Sequence, residues 1–600
     1  MVSYESFYSG GNYPTDPKYG SLFTGYRSMF ADIGTSMDAR TANQIKETSK
    51  HLNTGLKVFE VAAHSAEVFD AIPQEQLTEI NRLSRLTGSE ATMHAPMIDP
   101  TGITQQGYSK MLREAAEKQL WNAIDRSHAL NPKGNIVVTM HASTTQLPSA
   151  EQLVKKTEDG KPEVVARLLV DPQGGLHEIR EKEAHYFPTE NTKAEDIGKG
   201  TVKFNVDYEA QKQNRDIWQN KLTDLAFNTY RGKQEIDHVL AALPGSDKYT
   251  AKDWEEVQKE NPEIPQLDQS LSMGSSFLKG AYISLQQMYD LAYHNAKGQD
   301  KEKLDDFSRE VLPYVKEFDK AKPEDLKKFA SIIEKGHNIL TNMKPEILTP
   351  LRSFAIEKSA ETVSNIALQS YKKFKDTSPV ISLENHPAYQ SLLTTGGDLK
   401  DVIEKARNDF VDKAEKDGIS RSEAKKAAEK IIGATWDVGH INMLRKFGFG
   451  DKEIIEETKK VSKFVKHVHL SDNFGMEHTE LPMGMGNVPI KEIMSQLGKD
   501  GFKGKKVVEA LSWWQHFSEQ GVHHAIVPTM QAMGSPVYGM ANGPYWNQVA
   551  GANGNYFGMP MTYLPEKHFS TYGSGFSSLP EELGGQIPGT QSRFSGAPSA

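Results

Sequence analysis

With no cysteine and nineteen histidines in 600 residues, any metal this chain binds must sit on imidazole and carboxylate. Thiolate sites, disulfides and cysteine nucleophiles are excluded. Candidate ligands stand at the ends of short apolar runs. They are His94 in Thr-Met-His-Ala-Pro, His141 after Val-Val-Thr-Met, Glu384 in Ile-Ser-Leu-Glu-Asn, and Asp437 with His440 three residues on. His467 and His469 follow in Lys-His-Val-His-Leu-Ser-Asp, and Glu509 after Val-Val. One such histidine is more often a hydrogen-bonded structural group than a ligand. Convergence shifts the balance, because several carboxylates buried together without cations would be electrostatically very costly.

The runs that carry these residues alternate with amphipathic helical stretches, the pattern of a parallel sheet with crossover helices. Strands are predicted at 29–34, 56–62, 91–95 and 135–141, and again at 379–384, 432–437, 465–471 and 505–510. Helices are predicted between them, for example over 108–130, 399–414 and 452–464. Four strands and four make an α/β chain with a (β/α)8 TIM barrel, whose active sites sit at the carboxyl ends of the strands. The third to eighth strands all end in a metal-competent side chain. Residues two apart on a strand face the same way, so His467 and His469 share a face. His469, nearer the carboxyl end, is the expected ligand, and His467 lies a layer below. By the same parity Glu509 stands at the mouth above Val507, as a base or ligand. Glu60, His64 and His386 read as supporting or structural groups.

The expected organisation is a polar leader over 1–28, a first barrel half over 29–143, and an inserted, mostly helical subdomain after strand four over 144–350. The second barrel half follows over 351–529, and a Gly/Ser/Pro-rich tail, read as loop-rich or disordered, covers 530–600. The insertion far exceeds the roughly 2–6 residues of an ordinary βα loop. It opens with a predicted hairpin around Asp171-Pro172-Gln173-Gly174-Gly175. Apolar runs such as 136–140 fall well short of the ~20 residues that span a bilayer, so no membrane segment is expected. The leader has no basic start followed by an apolar run, and the expected location is the cytoplasm. A formal charge of −9 gives no sign of the broad positive field of non-specific nucleic-acid binding. Lysine pairs such as Lys327-Lys328 and Lys425-Lys426 read as solvated helix faces.

Over about 29–511, leaving out the insertion, the strand-end set resembles the superfamily of xylose-isomerase-like barrels. That superfamily includes endonuclease IV and many sugar isomerases and epimerases. Endonuclease IV holds three zinc ions with nine side chains, and the resemblance implies that His94, His141, Glu384, Asp437, His440, His469 and Glu509 are seven of these ligands. The other two come from an Asp-x-His element before a Gly-x-Gly turn. Aligning on Gly484-Met485-Gly486 places His478 and Glu480 there, with the two residue types in reversed order and both still able to bind metal. The short stretch from Asp472 to Gly484 is closer to the sugar-isomerase branch.

Two chemistries follow. The main expectation is metal-assisted phosphodiester hydrolysis with up to three Zn2+, with Glu384 and Glu509 at the reacting centre and abasic-site DNA as the substrate implied by the resemblance. The alternative is isomerisation or epimerisation of a sugar or sugar phosphate. It needs one Mn2+ or Mg2+ on Glu384, Asp437, His469 and Glu509, while a glutamate moves the proton. Both require those four side chains, from distant segments, to meet.

Overall fold

The computed structural model describes residues between 32 and 510, with gaps, together with Thr529. The predicted leader, the tail and the first residues of the predicted first strand lie outside the described residues. The chain divides into two compact units, Met1–Ala166 with Leu351–Ala600, and Arg167–Pro350.

In the first unit eight strands close into a single barrel. They are β1 (Ile33–Ser36), β2 (Val58–Ala62), β3 (Glu90–His94), β4 (Val137–His141), β5 (Val380–Glu384), β6 (Ile432–Asp437), β7 (Val465–Leu470) and β8 (Lys506–Val508). Each pairs in parallel with its neighbours in sequence, and β1 closes on β8. All eight fall on predicted segments. The register places strand ends level with one another: His141 is opposite Glu384, Asp437 opposite His469, and His469 opposite Val507.

Strand parity decides what fills the barrel and what packs outside it. Thr435 points inward, where its hydroxyl meets Thr139 Oγ1 at 2.9 Å and Ser382 Oγ at 2.8 Å. Asp437, two residues on, shares that face. Trp436 therefore points outward; it is fully buried, and its Nε1–H donates to Thr458 Oγ1 on the helix Asp451–Val461 at 3.2 Å. Helix starts are fixed locally. Ser109 caps Lys110–Ser127 by accepting from the Leu112 amide, and Thr395 with Asp398 forms a reciprocal capping box on Gly396–Lys416.

The second unit holds the predicted hairpin: Leu168–Val170 pairs antiparallel with Leu176–Glu178, and the Asp171 amide donates to the Gly175 carbonyl. Thr349–Pro350 adds a third strand to this sheet. The helices Val206–Ala242, Ile264–Asn295, Gln299–Glu317 and Pro323–Thr341 make up most of the rest of its described residues. Trp218, Leu225, Ile236, Leu278 and Ile333 lie in its core. Its two longest helices meet at glycines, where a Cβ on Gly232 would lie 3.0 Å from the Gly274 carbonyl oxygen. No described helix is long and apolar enough to cross a membrane.

Replacing Trp436 with alanine removes the largest fully buried side chain between β6 and its covering helix, while the Thr458 hydroxyl keeps its bond to the Ile454 carbonyl. Urea unfolding of the variant should show a loss of about 3–5 kcal/mol. A loss under ~1 kcal/mol would mean that this outer layer does not hold the barrel.

Candidate metal centre

Glu384, Asp437, His469 and Glu509 each offer one ligand atom, and these atoms all lie within 4.8 Å of one another. His469 Nδ1 stands 2.6 Å from Glu384 Oε1 and 3.1 Å from Glu509 Oε2. The requirement that four distant segments meet is thus satisfied geometrically. Asn385 brackets the end of β6, its Oδ1 accepting from the Asp437 amide and its Nδ2–H donating to the Asp437 carbonyl. Asp437 Oδ1 accepts from the His440 amide at 2.7 Å and from Ser471 Oγ at 3.1 Å. The carboxylate therefore also caps the helix Val438–Asn442. Gly439 has to be glycine here, since a methyl at that position would collide with the Ser471 hydroxyl.

A second group shares Glu384: His94, His141 and Glu384. Glu384 Oε2 is 3.1 Å from His94 Nε2 and 3.6 Å from His141 Nε2. Hydrogen bonding sets the His94 tautomer. Its Nδ1–H donates to the Ala95 carbonyl at 2.7 Å and its Nε2–H to Glu384 Oε2, so the Nε2 lone pair is turned to the site once a cation displaces that second proton. His440 repeats the device, with Nδ1–H on the Asn385 carbonyl at 2.6 Å and Nε2 facing His478 Nε2 at 2.8 Å. His478 lies 3.8 Å from Glu480. His440, His478 and Glu480 adjoin one another without entering any of the metal-competent groups found among the described residues, whereas the other six candidates all enter at least one.

Burial and mutual charge work against one another here. Burial raises the Asp437 carboxyl, and the charges of Glu509 and Glu384 raise it further, to well above the usual carboxylate range. Burial also raises Glu384, but the neighbouring charges of His469 and His141 outweigh it and hold that carboxyl low. Burial opposes protonation of His94, yet its hydrogen bond to Glu384 and that carboxylate's charge push it up to about 9. His469 is raised well above the imidazole range by Glu384, Glu509 and Glu60 against the same burial penalty. Without a cation the cluster can satisfy its carboxylates only by holding protons. A divalent ion would replace those protons, and the donor set of three carboxylates with lone pairs aimed from preset imidazoles fits one.

Two groups set aside in the sequence reading prove to be close to the site. Glu60, fully buried on β2, joins His467 and His469 in a further metal-competent group. His386 is buried, with its ring 5.2 Å from His141 and 6.3 Å from His440, and burial lowers it to about 4. His64 is exposed and engages through its backbone. Parity could have flagged Glu60, a charged residue within the apolar run Val-Phe-Glu-Val-Ala.

Residues 369–520 match the family model described as xylose isomerase-like TIM barrel. The matched residues include the barrel strands β5 to β8. An uncharacterized protein of Methanocaldococcus jannaschii, MJ1311, is 30% identical over 80 residues, 13% of this chain. The chain spans only about a quarter, 26%, of that relative's length. Among solved structures, a D-tagatose 3-epimerase-like protein aligns with 82% of this chain and 100% of its own, at 13% identity and a TM-score of 0.34. A D-psicose 3-epimerase with D-tagatose from Clostridium cellulolyticum H10 aligns with 84% of this chain and 98% of its own, at 9% identity and a TM-score of 0.37.

The pKa shifts give a signed prediction for the cation-free protein. His94 and His469 are raised on folding, so their contribution is complete below the imidazole value of 6.5 and is lost as pH rises, for His94 through about 9. Glu384 and Glu60 are lowered from 4.5, so theirs is already complete by about pH 6. Imidazoles held low, such as His386, have nothing left to lose above 6.5. In chelator, the melting temperature should therefore fall between pH 6.5 and 9, and added Mn2+ should flatten the fall. A flat profile in chelator would contradict this account.

Proposed function

We propose that this chain is a divalent-metal-dependent isomerase or epimerase of a small sugar or sugar phosphate. The observation that carries the reading is the oxygen-rich composition of the four-residue group: Glu384, Asp437 and Glu509 with one imidazole, His469. Carboxylate oxygens suit Mn2+ or Mg2+ better than Zn2+. When bound, the cation would polarise the sugar carbonyl and acidify the adjacent C–H. Glu509 is the partly exposed glutamate of the pair and Glu384 the fully buried one. Glu509 takes the proton from the carbon beside the carbonyl and the C–H electron pair shifts toward the carbonyl oxygen; a proton then returns to carbon from Glu509 itself in an isomerisation, or in an epimerisation from Glu384 after it has taken one from His94 Nε2–H, 3.1 Å away. His94 and His440, with Nδ1–H committed to backbone carbonyls, would accept from sugar hydroxyls at Nε2 only on exchanging their contacts with Glu384 and His478.

A second reading rests on the group that shares Glu384. His94 and His141 with that carboxylate make a nitrogen-rich site suited to Zn2+, and two adjacent ions would support phosphodiester hydrolysis. The placement of His440, His478 and Glu480 outside the groups weakens the three-zinc form of it, and a formal charge of −9 does not favour a DNA substrate.

Metal content and proton exchange separate the two. One Mn2+ or Mg2+ per chain, with solvent deuterium entering a ketose next to its carbonyl, is the expected result. Glu509→Gln should slow that exchange by about 10²-fold or more. Two or three Zn2+ per chain, cleavage of an abasic duplex and no exchange into sugars would reverse the order of the readings.

A further inference from the structure

Beneath the mouth, β2 and β7 bring the fully buried Glu60 carboxylate and His467 imidazole, which the proposed chemistry does not use, against the fully buried ligand His469. Glu60 Oε1 lies 3.3 Å from His469 Nε2, and Glu60 Oε2 lies 3.5 Å from His467 Nε2. The Thr92 hydroxyl donates to Glu60 Oε2 at 3.1 Å and so fixes the plane of the carboxylate. Glu60 Oε1 and His469 Nε2 are sealed from water and neither has a hydrogen-bond partner, which leaves each as the nearest group that can satisfy the other. The opposite ring nitrogen of His469, Nδ1, is the one that meets Glu384 and Glu509.

An imidazole that gives Nδ1 to a cation must carry its proton on Nε2. In a dry interior that proton needs an acceptor, and an ionised one both fixes the ring and makes the ligating nitrogen more basic. We propose that Glu60 is a positioning residue for the metal centre: it accepts a hydrogen bond from His469 Nε2–H and so holds the tautomer and orientation in which Nδ1 can ligate. This rests on the reading of Glu384, Asp437, His469 and Glu509 as a cation site. Glu60 touches neither the cation nor the substrate and acts entirely through His469. Thr92 holds the carboxylate from its other oxygen, with His467 Nε2 3.5 Å from the same atom, so the chain of support runs from β3 through β2 to β7.

The test is Mn2+ affinity of the full chain, with Co2+ absorption bands as a report of ligand geometry. Glu60→Gln keeps the shape and removes the charge, and should weaken Mn2+ by about 10–100-fold and shift the Co2+ bands. Glu60→Asp should recover part of the loss. Thr92→Val leaves the charge in place and frees its plane; it should weaken Mn2+ severalfold, and it carries the test if Glu60→Gln does not fold. Wild type binding Mn2+ while Glu60→Gln, or failing that Thr92→Val, binds within about twofold of it with unchanged Co2+ bands would overturn the role of Glu60 and leave the cation site standing. If the wild type takes up no divalent cation, the site reading falls and the role of Glu60 falls with it.

Discussion

Buried negative charge is the constraint around which the barrel is organised. Glu60, Glu384 and Asp437 are fully shielded from solvent, and taking a carboxylate out of water costs several kcal/mol unless something compensates it. The compensation comes from imidazoles reaching across the barrel: His94 on Glu384, and His469 between Glu384, Glu509 and Glu60, with His141 and His467, which burial holds low, alongside. The balance is incomplete at Asp437, whose carboxyl burial and neighbouring carboxylates drive upward. A site that has to hold protons in order to exist in this form is one in which a divalent cation gains a large advantage over solvent.

Parallel register is what makes such a cluster possible. Because β4 to β8 end at one level, a ligand on one strand finds its partner on the next: His141 beside Glu384, and Asp437 beside His469. Hydroxyls of Thr139, Ser382 and Thr435 bond to one another inside the barrel, so the polar interior of β4, β5 and β6 is satisfied without charge. The bracket of Asn385 on both backbone groups of Asp437 then ties the end of β5 to the end of β6. Precision at the mouth follows from backbone pairing and short polar links, with few long flexible side chains involved.

The sequence made the barrel legible because short apolar strands ending in charged residues are a strong and repeated signal, seen at His94, His141, Glu384, Asp437, His469 and Glu509. The inserted helices were legible as helices from their periodicity. Glu60 reads from sequence only as a supporting or structural group, because it lies inside a strand, at Val-Phe-Glu-Val-Ala, where a charged residue carries no end-of-strand signal. Its partners arrive from β3 and β7, and no local spacing encodes that meeting. The relation of His440 to His478 was equally hidden: one follows β6 and the other β7, and the 2.8 Å between their rings depends on how two loops fold back.

The reversed order of His478 and Glu480 bears on the choice between substrates. Glu480 stands where the resemblance to endonuclease IV calls for histidine, with a backbone φ of +44° that few non-glycine residues adopt. Burial, then the charges of Glu509 and Glu384, push its carboxyl up to about 7. A further acid at this mouth therefore adds negative potential wherever it ionises. A phosphodiester would enter that field carrying its own negative charge and would need more than one cation to offset it, whereas a neutral carbonyl and hydroxyls would meet acceptors and one polarising ion. The electrostatics of the mouth thus agree with the oxygen-rich ligand set in supporting the proposed reading, with uncharged sugar atoms at the reacting centre.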